Sequence, residues 1–257
     1  MKHGKKVVAM VATALVSLAS SIPAHAAPVN LSTWLIDGGG NWTLHTGSAP
    51  NDSAFQSLNS PPTVLFNNMN SQGLSLSGTI RVESTADDDF IGFVLGYDDN
   101  DLTGSPTTDY ILVDWKQTTQ AAWGAGMAIS RVTGGINTCG TCSASDAWLH
   151  TGNVTFIQRA ATLGNTGWSE NISYLFDVVF TPTNIQVIVN GVEQFDITGS
   201  FSNGSFGFYN FSQQSVRYAG ITQDVVLPPP STVPEPASLF LLSAGLGAAG
   251  LRKYRRG

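Results

Sequence analysis

Two short runs, Asn184 to Val189 and Val192 to Ile197, flank the dipeptide Asn190-Gly191. Both residues of that dipeptide tolerate positive φ, so it is the strongest short-range hairpin signal a sequence carries. The same texture fills the middle of the chain. Gly78 to Ser84 alternates, and Phe90 to Tyr97 is a mostly apolar run containing Gly92 and Gly96. Tyr110 to Lys116 sets Ile111, Val113 and Trp115 on one face, and Tyr174 to Phe180, Phe206 to Phe211 and Val216 to Ile221 complete the set. Turn residues separate these runs, and neither an amphipathic helix of useful length nor a repeat of fixed period is present. Short strands punctuated this way predict an all-β sandwich or jelly roll.

The two ends read differently. Residues 1–26 have the form of a secretory signal peptide: Lys2, Lys5 and Lys6, the apolar stretch Val7 to Ala19, then Ala24-His25-Ala26 as a small-x-small cleavage site. Residues 227–236 form a Pro-rich, extended linker that ends in Pro234-Glu235-Pro236. Residues 237–257 follow, with Ala237 to Leu251 uncharged and Arg252, Lys253, Arg255 and Arg256 closing the chain. At about 1.5 Å per residue the apolar stretch spans roughly 22 Å, short of the ~30 Å hydrocarbon core. Such a span suits a transient membrane hold, with its basic end on the cytoplasmic side. Val-Pro-Glu-Pro, an apolar stretch and an Arg cluster together resemble the bacterial PEP-CTERM sorting signal. The resemblance implies an exosortase-type processing enzyme as a partner, removal of the tail near Pro234, Glu235 and Pro236, and a cell-surface or extracellular destination. A plain C-terminal anchor is the other reading.

Seven of the 12 basic residues lie in these two ends. Residues 27–226 therefore keep five basic residues against 17 of the 18 acids, a net charge of −12. Such a domain repels phosphate backbones and anionic lipid, so nucleic acid is excluded as a partner. A multivalent cation is the natural one.

Several blocks of the middle are similar to the globular C-terminal domain of thrombospondins. They are Asp87-Asp88-Asp89 running into Phe90 to Tyr97, then Asp109 to Gln117, then Ala147-Trp148-Leu149-His150-Thr151-Gly152, then Gly167-Trp168, then Phe206 to Gln214. They occur in the family's order and cover roughly Thr79 to Thr222, while Asn30 to Ser77 matches less clearly. The resemblance implies a concanavalin-like jelly roll across 27–226, carrying calcium in loops at one edge, with an adhesive or matrix-associated role. These 257 residues show no counterpart of the EGF modules or calcium-binding repeats that precede the domain in thrombospondins, so animal receptor, heparin and integrin binding do not transfer.

Eight acids fall between Asp87 and Asp114 with no Lys or Arg among them. Asp87, Asp88 and Asp89 precede one strand, and Asp98, Asp99 and Asp101 follow it, with Asp109 next along the chain. A strand of that length separates its ends by about 25 Å at ~3.3 Å per residue, so one ion cannot use both groups without a loop folding back, and the expectation is separate sites, or one site at the Asp98 to Asp109 loop with solvated acids elsewhere. Calcium takes 6–8 oxygens, and crowded carboxylates are relieved by a cation among them. The spacing is not that of an EF-hand. Composition alone does not separate a Ca2+ site from a solvated acidic loop; the resemblance favours calcium, at the weak affinity of extracellular modules, about 10⁻⁴ to 10⁻³ M.

Cys139 and Cys142 read as a loop-closing disulfide in an exported chain, with free thiols, a metal or redox chemistry as alternatives. His45 and His150 are the only histidines of the middle; no Gly-x-Ser-x-Gly elbow or paired-acid motif accompanies them. His150 reads as a hydrogen-bonded structural residue, and the chain as a non-enzyme. Six tryptophans could stack on sugars, Trp123 in the Ala121 to Gly126 loop being the candidate for an exposed one. A calcium-dependent lectin that binds exopolysaccharide or another matrix component is the alternative function, and a glycan-active enzyme a further one.

Overall fold

A computed structural model describes residues 26–136 and 145–226. The signal segment, the Cys139–Cys142 loop, the Pro234-Glu235-Pro236 motif and the apolar tail lie outside the described residues. Among the described residues no helix is long and apolar enough to cross a membrane.

Two antiparallel sheets carry the fold. The eight-stranded sheet runs β13 (Val192–Thr198), β12 (Asn184–Val189), β11 (Tyr174–Phe180), β6 (Leu74–Val82), β15 (Val216–Val225), β4 (Ser53–Gln56) and β3 (Trp42–His45), with β1 (Ala27–Pro28) beside β15. The seven-stranded sheet runs β10 (Val154–Arg159), β9 (Gly126–Val132), β8 (Tyr110–Lys116), β7 (Phe90–Tyr97), β14 (Ser205–Phe211), β5 (Thr63–Phe66) and β2 (Leu35–Gly38). The hairpin at Asn190-Gly191 forms as its sequence dictates, with φ of 50° and 76° at the two turn residues. The first alternating run is displaced: β6 begins at Leu74 and ends at Val82 rather than spanning Gly78 to Ser84.

The core lies between the sheets. Ile80, Phe176, Val178 and Val187 of one sheet pack against Ile91, Phe93, Val113 and Phe208 of the other. Aromatic pairs bridge the layers, Phe93 to Phe176 at 4.6 Å and Phe208 to Tyr218 at 4.3 Å between ring centroids. Each such pair adds about 0.5–1.5 kcal/mol beyond area burial. The Tyr218 hydroxyl crosses into the opposite sheet. It accepts from the Gly92 amide at 3.2 Å and lies 2.9 Å from the Tyr209 carbonyl and 3.0 Å from Asn210 Oδ1. A side chain at Gly92 would meet the Val113 carbonyl at 2.0 Å, so this crossing is open only to glycine.

A second core covers the other face of the seven-stranded sheet. Val94, Tyr110, Leu112, Val132, Tyr209 and Phe211 point there, beneath Ile136, Leu102 and the short helix α1 (Asp146–Leu149). Every residue of β7, β8 and β14 is consequently buried. Strands covered on both faces read as continuous apolar runs, which explains the unalternating Phe90 to Tyr97.

Candidate metal centre

Antiparallel pairing sets Phe90 opposite Lys116, so the residues before β7 and those after β8 meet at one corner of the seven-stranded sheet. Asp87, Asp88 and Asp89 lie there, each with a carboxylate oxygen within 4.8 Å of the others. Asp89 is buried and ion-paired with Lys116, whose side chain is 0% exposed. The same ammonium donates to Gln120 Oε1 at 2.7 Å and lies 4.4 Å from the Trp148 ring. The Asp89 amide donates to Gln213 Oε1 at 2.9 Å, and Trp168 Nε1 donates to its carbonyl at 3.0 Å. Asp89 is thus held by three distant segments and has one compensating charge.

Asp87 and Asp88 are half-buried above that pair. Asn59 Nδ2 donates to Asp87 Oδ2, and Thr118 Oγ1 to Asp88 Oδ2. Burial, then the charge of Asp89, push the Asp87 carboxyl up to about 6. One ammonium against three carboxylates leaves two negative charges at this corner. Asp87, Asp88 and the Thr118 hydroxyl are hard oxygen donors of the kind a divalent ion takes, while Asn59 faces Asp87 with its amide nitrogen.

The other sequence candidates lie apart. Asp98, Asp99 and Asp101 stand at the opposite end of β7. Asp98 and Asp99 are exposed. Asp101 is buried, accepts from Thr108 Oγ1 at 2.7 Å and from the Asp98 amide at 2.9 Å, and burial raises its carboxyl above the usual range. Asp109 takes a two-pronged contact from Arg131, at 2.5 and 2.6 Å, and a hydroxyl from Ser202. The guanidinium contact holds Asp109 below the usual carboxylate range. Asp37 joins this end by accepting the Tyr97 hydroxyl. The partners that tie it to this end, Tyr97 and the Leu102 amide, are 60 and 65 positions away, and nothing in the spacing around Leu35 to Gly38 reveals it.

His150 and Trp123 form a separate stack. His150 Nε2 lies 2.8 Å from Asp114 Oδ2, both groups buried. The Trp123 ring stacks on His150 at 3.6 Å, and the Arg159 guanidinium covers its other side at 4.2 Å. Trp123 therefore has no free face for a sugar, contrary to the expectation of an exposed platform. Trp34, Trp42, Trp115, Trp148 and Trp168 are buried in the two cores and their surroundings.

Two facing antiparallel sheets of this order define a lectin-like jelly roll. The fold is shared with a carbohydrate-binding module from Bacillus subtilis, at 11% identity and a TM-score of 0.52 over 76% of this chain and 97% of that one. It is shared also with a Bacillus subtilis protein of unknown function with a galectin-like fold, at 9% identity and a TM-score of 0.50 over 78% and 94%. Within that class the chain belongs to the thrombospondin C-terminal region family, whose profile matches residues 41–225. Thrombospondin-2 of Gallus gallus is 28% identical over 204 residues, and cartilage oligomeric matrix protein of Rattus norvegicus 25% identical over 183. Those matches cover 70% and 65% of this chain but 16% and 23% of the relatives, so the chain spans a minor part of their length. The PEP-CTERM protein-sorting motif matches residues 232–256. The chain is an exported, cell-surface protein.

Proposed function

We propose that this protein is a matrix-associated adhesion module whose jelly roll is stiffened by calcium at the Asp87–Asp89 corner. The observation that carries the reading is the excess of carboxylates there: three within 4.8 Å, with Lys116 the one cation paired with them among the described residues. Membership of a family found in extracellular matrix proteins supports it, as does the sorting motif at 232–256, which we read as the substrate of an exosortase-type enzyme. Asp87 and Asp88 are the ligands we assign, with the Thr118 hydroxyl beside them and Asp89 held in place by Lys116. The role is binding rather than catalysis. A cation between Asp87 and Asp88 would join the loop before β7 to the loop carrying Thr118.

Calcium titration followed by calorimetry and by melting temperature tests this. At ~2 mM calcium and a ~0.1 mM constant, linkage stabilises the fold by about 1.8 kcal/mol, lost on chelation. The pair Asp87→Asn and Asp88→Asn should abolish the calcium response while leaving a folded domain. A chelator-insensitive melting temperature, with no heat of binding, rules the reading out.

A further inference from the structure

The outer face of the eight-stranded sheet carries a groove of about 610 Å³ across β11, β6 and β15. Register sets Asp177, Ser77 and Thr222 in one line across the three strands. All three are half-buried, and none of their side chains has a hydrogen-bond or ion-pair partner among the described residues. The adjacent line is Leu175, Thr79 and Ala219. It is largely apolar: Leu175 is 59% exposed, and the Thr79 hydroxyl is taken by the Ala219 carbonyl at 3.3 Å. Between the lines β15 bulges by one residue, Ala219 to Thr222 opposing Thr79 to Ser77. Gly220, at φ 63°, puts no side chain into the space this opens. A bulge that unpairs the strand and re-aims its side chains is a recurrent device beside binding sites.

A row of two hydroxyls and a carboxylate beside a row of methyl groups matches an amphipathic ligand with hydroxyls on one edge and C–H bonds on its face. We propose that this groove binds a neutral saccharide chain, with Asp177, Ser77 and Thr222 taking its hydroxyls and Leu175 packing on a ring face. Charge selects neutral over acidic sugar. The groove's one charged lining group is Asp177, and residues 27–226 carry 17 acids against five basic residues. Arg81 and Arg217 stand one register step beyond the lining, and Arg217 is committed to Glu83. The volume is within the roughly 300–1,000 Å³ of ordinary ligand sites. The proposal rests on the reading of the chain as a matrix protein, for which it names the ligand class, but not on the calcium site.

The test is calorimetric titration of the purified protein with neutral gluco-, manno- and galacto-oligosaccharides, with an alginate oligomer as the acidic counterpart, in calcium and in chelator. The expected result is saturable binding of a neutral oligosaccharide, at least tenfold weaker in the variant Asp177→Ala with Thr222→Val. Thr155→Val on the opposite sheet should bind as the parent does, and all three proteins should keep the same melting temperature. Silence toward every neutral oligosaccharide, alginate binding at equal or higher affinity, or full binding by the groove variant each overturns the proposal. Because binding is read in chelator as well, loss of the calcium response without loss of glycan binding counts against the metal corner alone.

Discussion

Replacing Lys116 by Met isolates the charge balance of the corner. The Lys116 side chain is 0% exposed and that of Asp89 only 4%, so water cannot take over when the ammonium is removed. Met keeps a stem of similar length, and what goes is the ammonium, which lies against Asp89 and 5.0 and 4.4 Å from the Phe90 and Trp148 rings. Asp89 is left buried, beside Asp87 and Asp88, without a counter-ion. Removing one partner of a buried pair costs about 3–5 kcal/mol, because the survivor keeps its desolvation penalty. For a domain of this size that lowers the melting temperature by about 6–20 °C at ~2–4 °C per kcal/mol. The assay is urea and thermal unfolding in chelator, so that no metal replaces the ammonium. The double variant Lys116→Met with Asp89→Asn removes the orphan charge as well and should recover more than half of the loss. A single variant within about 1 kcal/mol of the parent, or a double variant no more stable than the single, refutes the reasoning that the corner is limited by uncompensated charge.

The remaining predictions concern pH and the rest of the frame. With Asp87 pushed up to about 6, the folded state binds a proton there that the unfolded state does not, so stability in chelator should rise as pH falls from 7 toward 5. Calcium should flatten that rise and itself bind more weakly below pH 6; a melting temperature that falls over this window in chelator contradicts the assignment. Glu83 and Asp109, held low by Arg217 and Arg131, contribute stability that is present above the usual carboxylate range and lost as pH falls through their lower folded values, so they leave the upper window clear. Tyr218→Phe should cost about 1–3 kcal/mol in urea unfolding, since Gly92 keeps a buried amide that its hydroxyl satisfied. Arg131→Gln should cost no more than about 1 kcal/mol, because its pair with Asp109 is partly open to solvent.

Much of the frame was legible because it rests on local signals. Phe90 to Tyr97, Tyr110 to Lys116 and Tyr174 to Phe180 are strands over the residues their composition marks, and Asn190-Gly191 turns as its φ preferences require. Trp115 points into the inter-sheet core with Ile111 and Val113, as the alternation implies. What could not be read is the second core. In β8, Asp114 and Lys116 fall on the face opposite Trp115, and polar residues alternating with apolar ones ordinarily mark a solvated face. Here that face is covered by α1, so Lys116 lies under Trp148 and Asp114 meets His150. The early strands β2 to β5 leave little trace in the sequence because each has four residues, too few for a period to show. Asp37 and Asn59 were missed for a different reason: each matters only through a contact that the topology creates far along the chain.

The same topology changes what the acid count means. Asp87 to Asp114 holds eight acids and no basic residue, yet Lys116 reaches back to Asp89 and Arg131 to Asp109. Arg217 is taken by Glu83, Arg159 by the carbonyls of Gly124 to Gly126 and the Trp123 ring, and Arg81 by Asn171. The five basic residues of residues 27–226 are therefore committed, and four acids have a lysine or arginine within ion-pair distance: Asp89 and, at 3.9 Å, Asp88 with Lys116, Asp109 with Arg131 and Glu83 with Arg217. Among the acids left over, Asp98, Asp99, Glu193 and Asp196 are exposed, and the buried Asp52, Asp101 and Asp114 are met by the Gly47 amide, the Thr108 hydroxyl and the His150 ring. Asp87 and Asp88 differ from these in being crowded, half-buried, against a third carboxylate. A net charge of −12 by itself asks for no ion, since exposed acids are neutralised well enough by salt. The calcium proposed above has its physical basis where the fold forces three carboxylates together against a single ammonium, as it does at the start of β7.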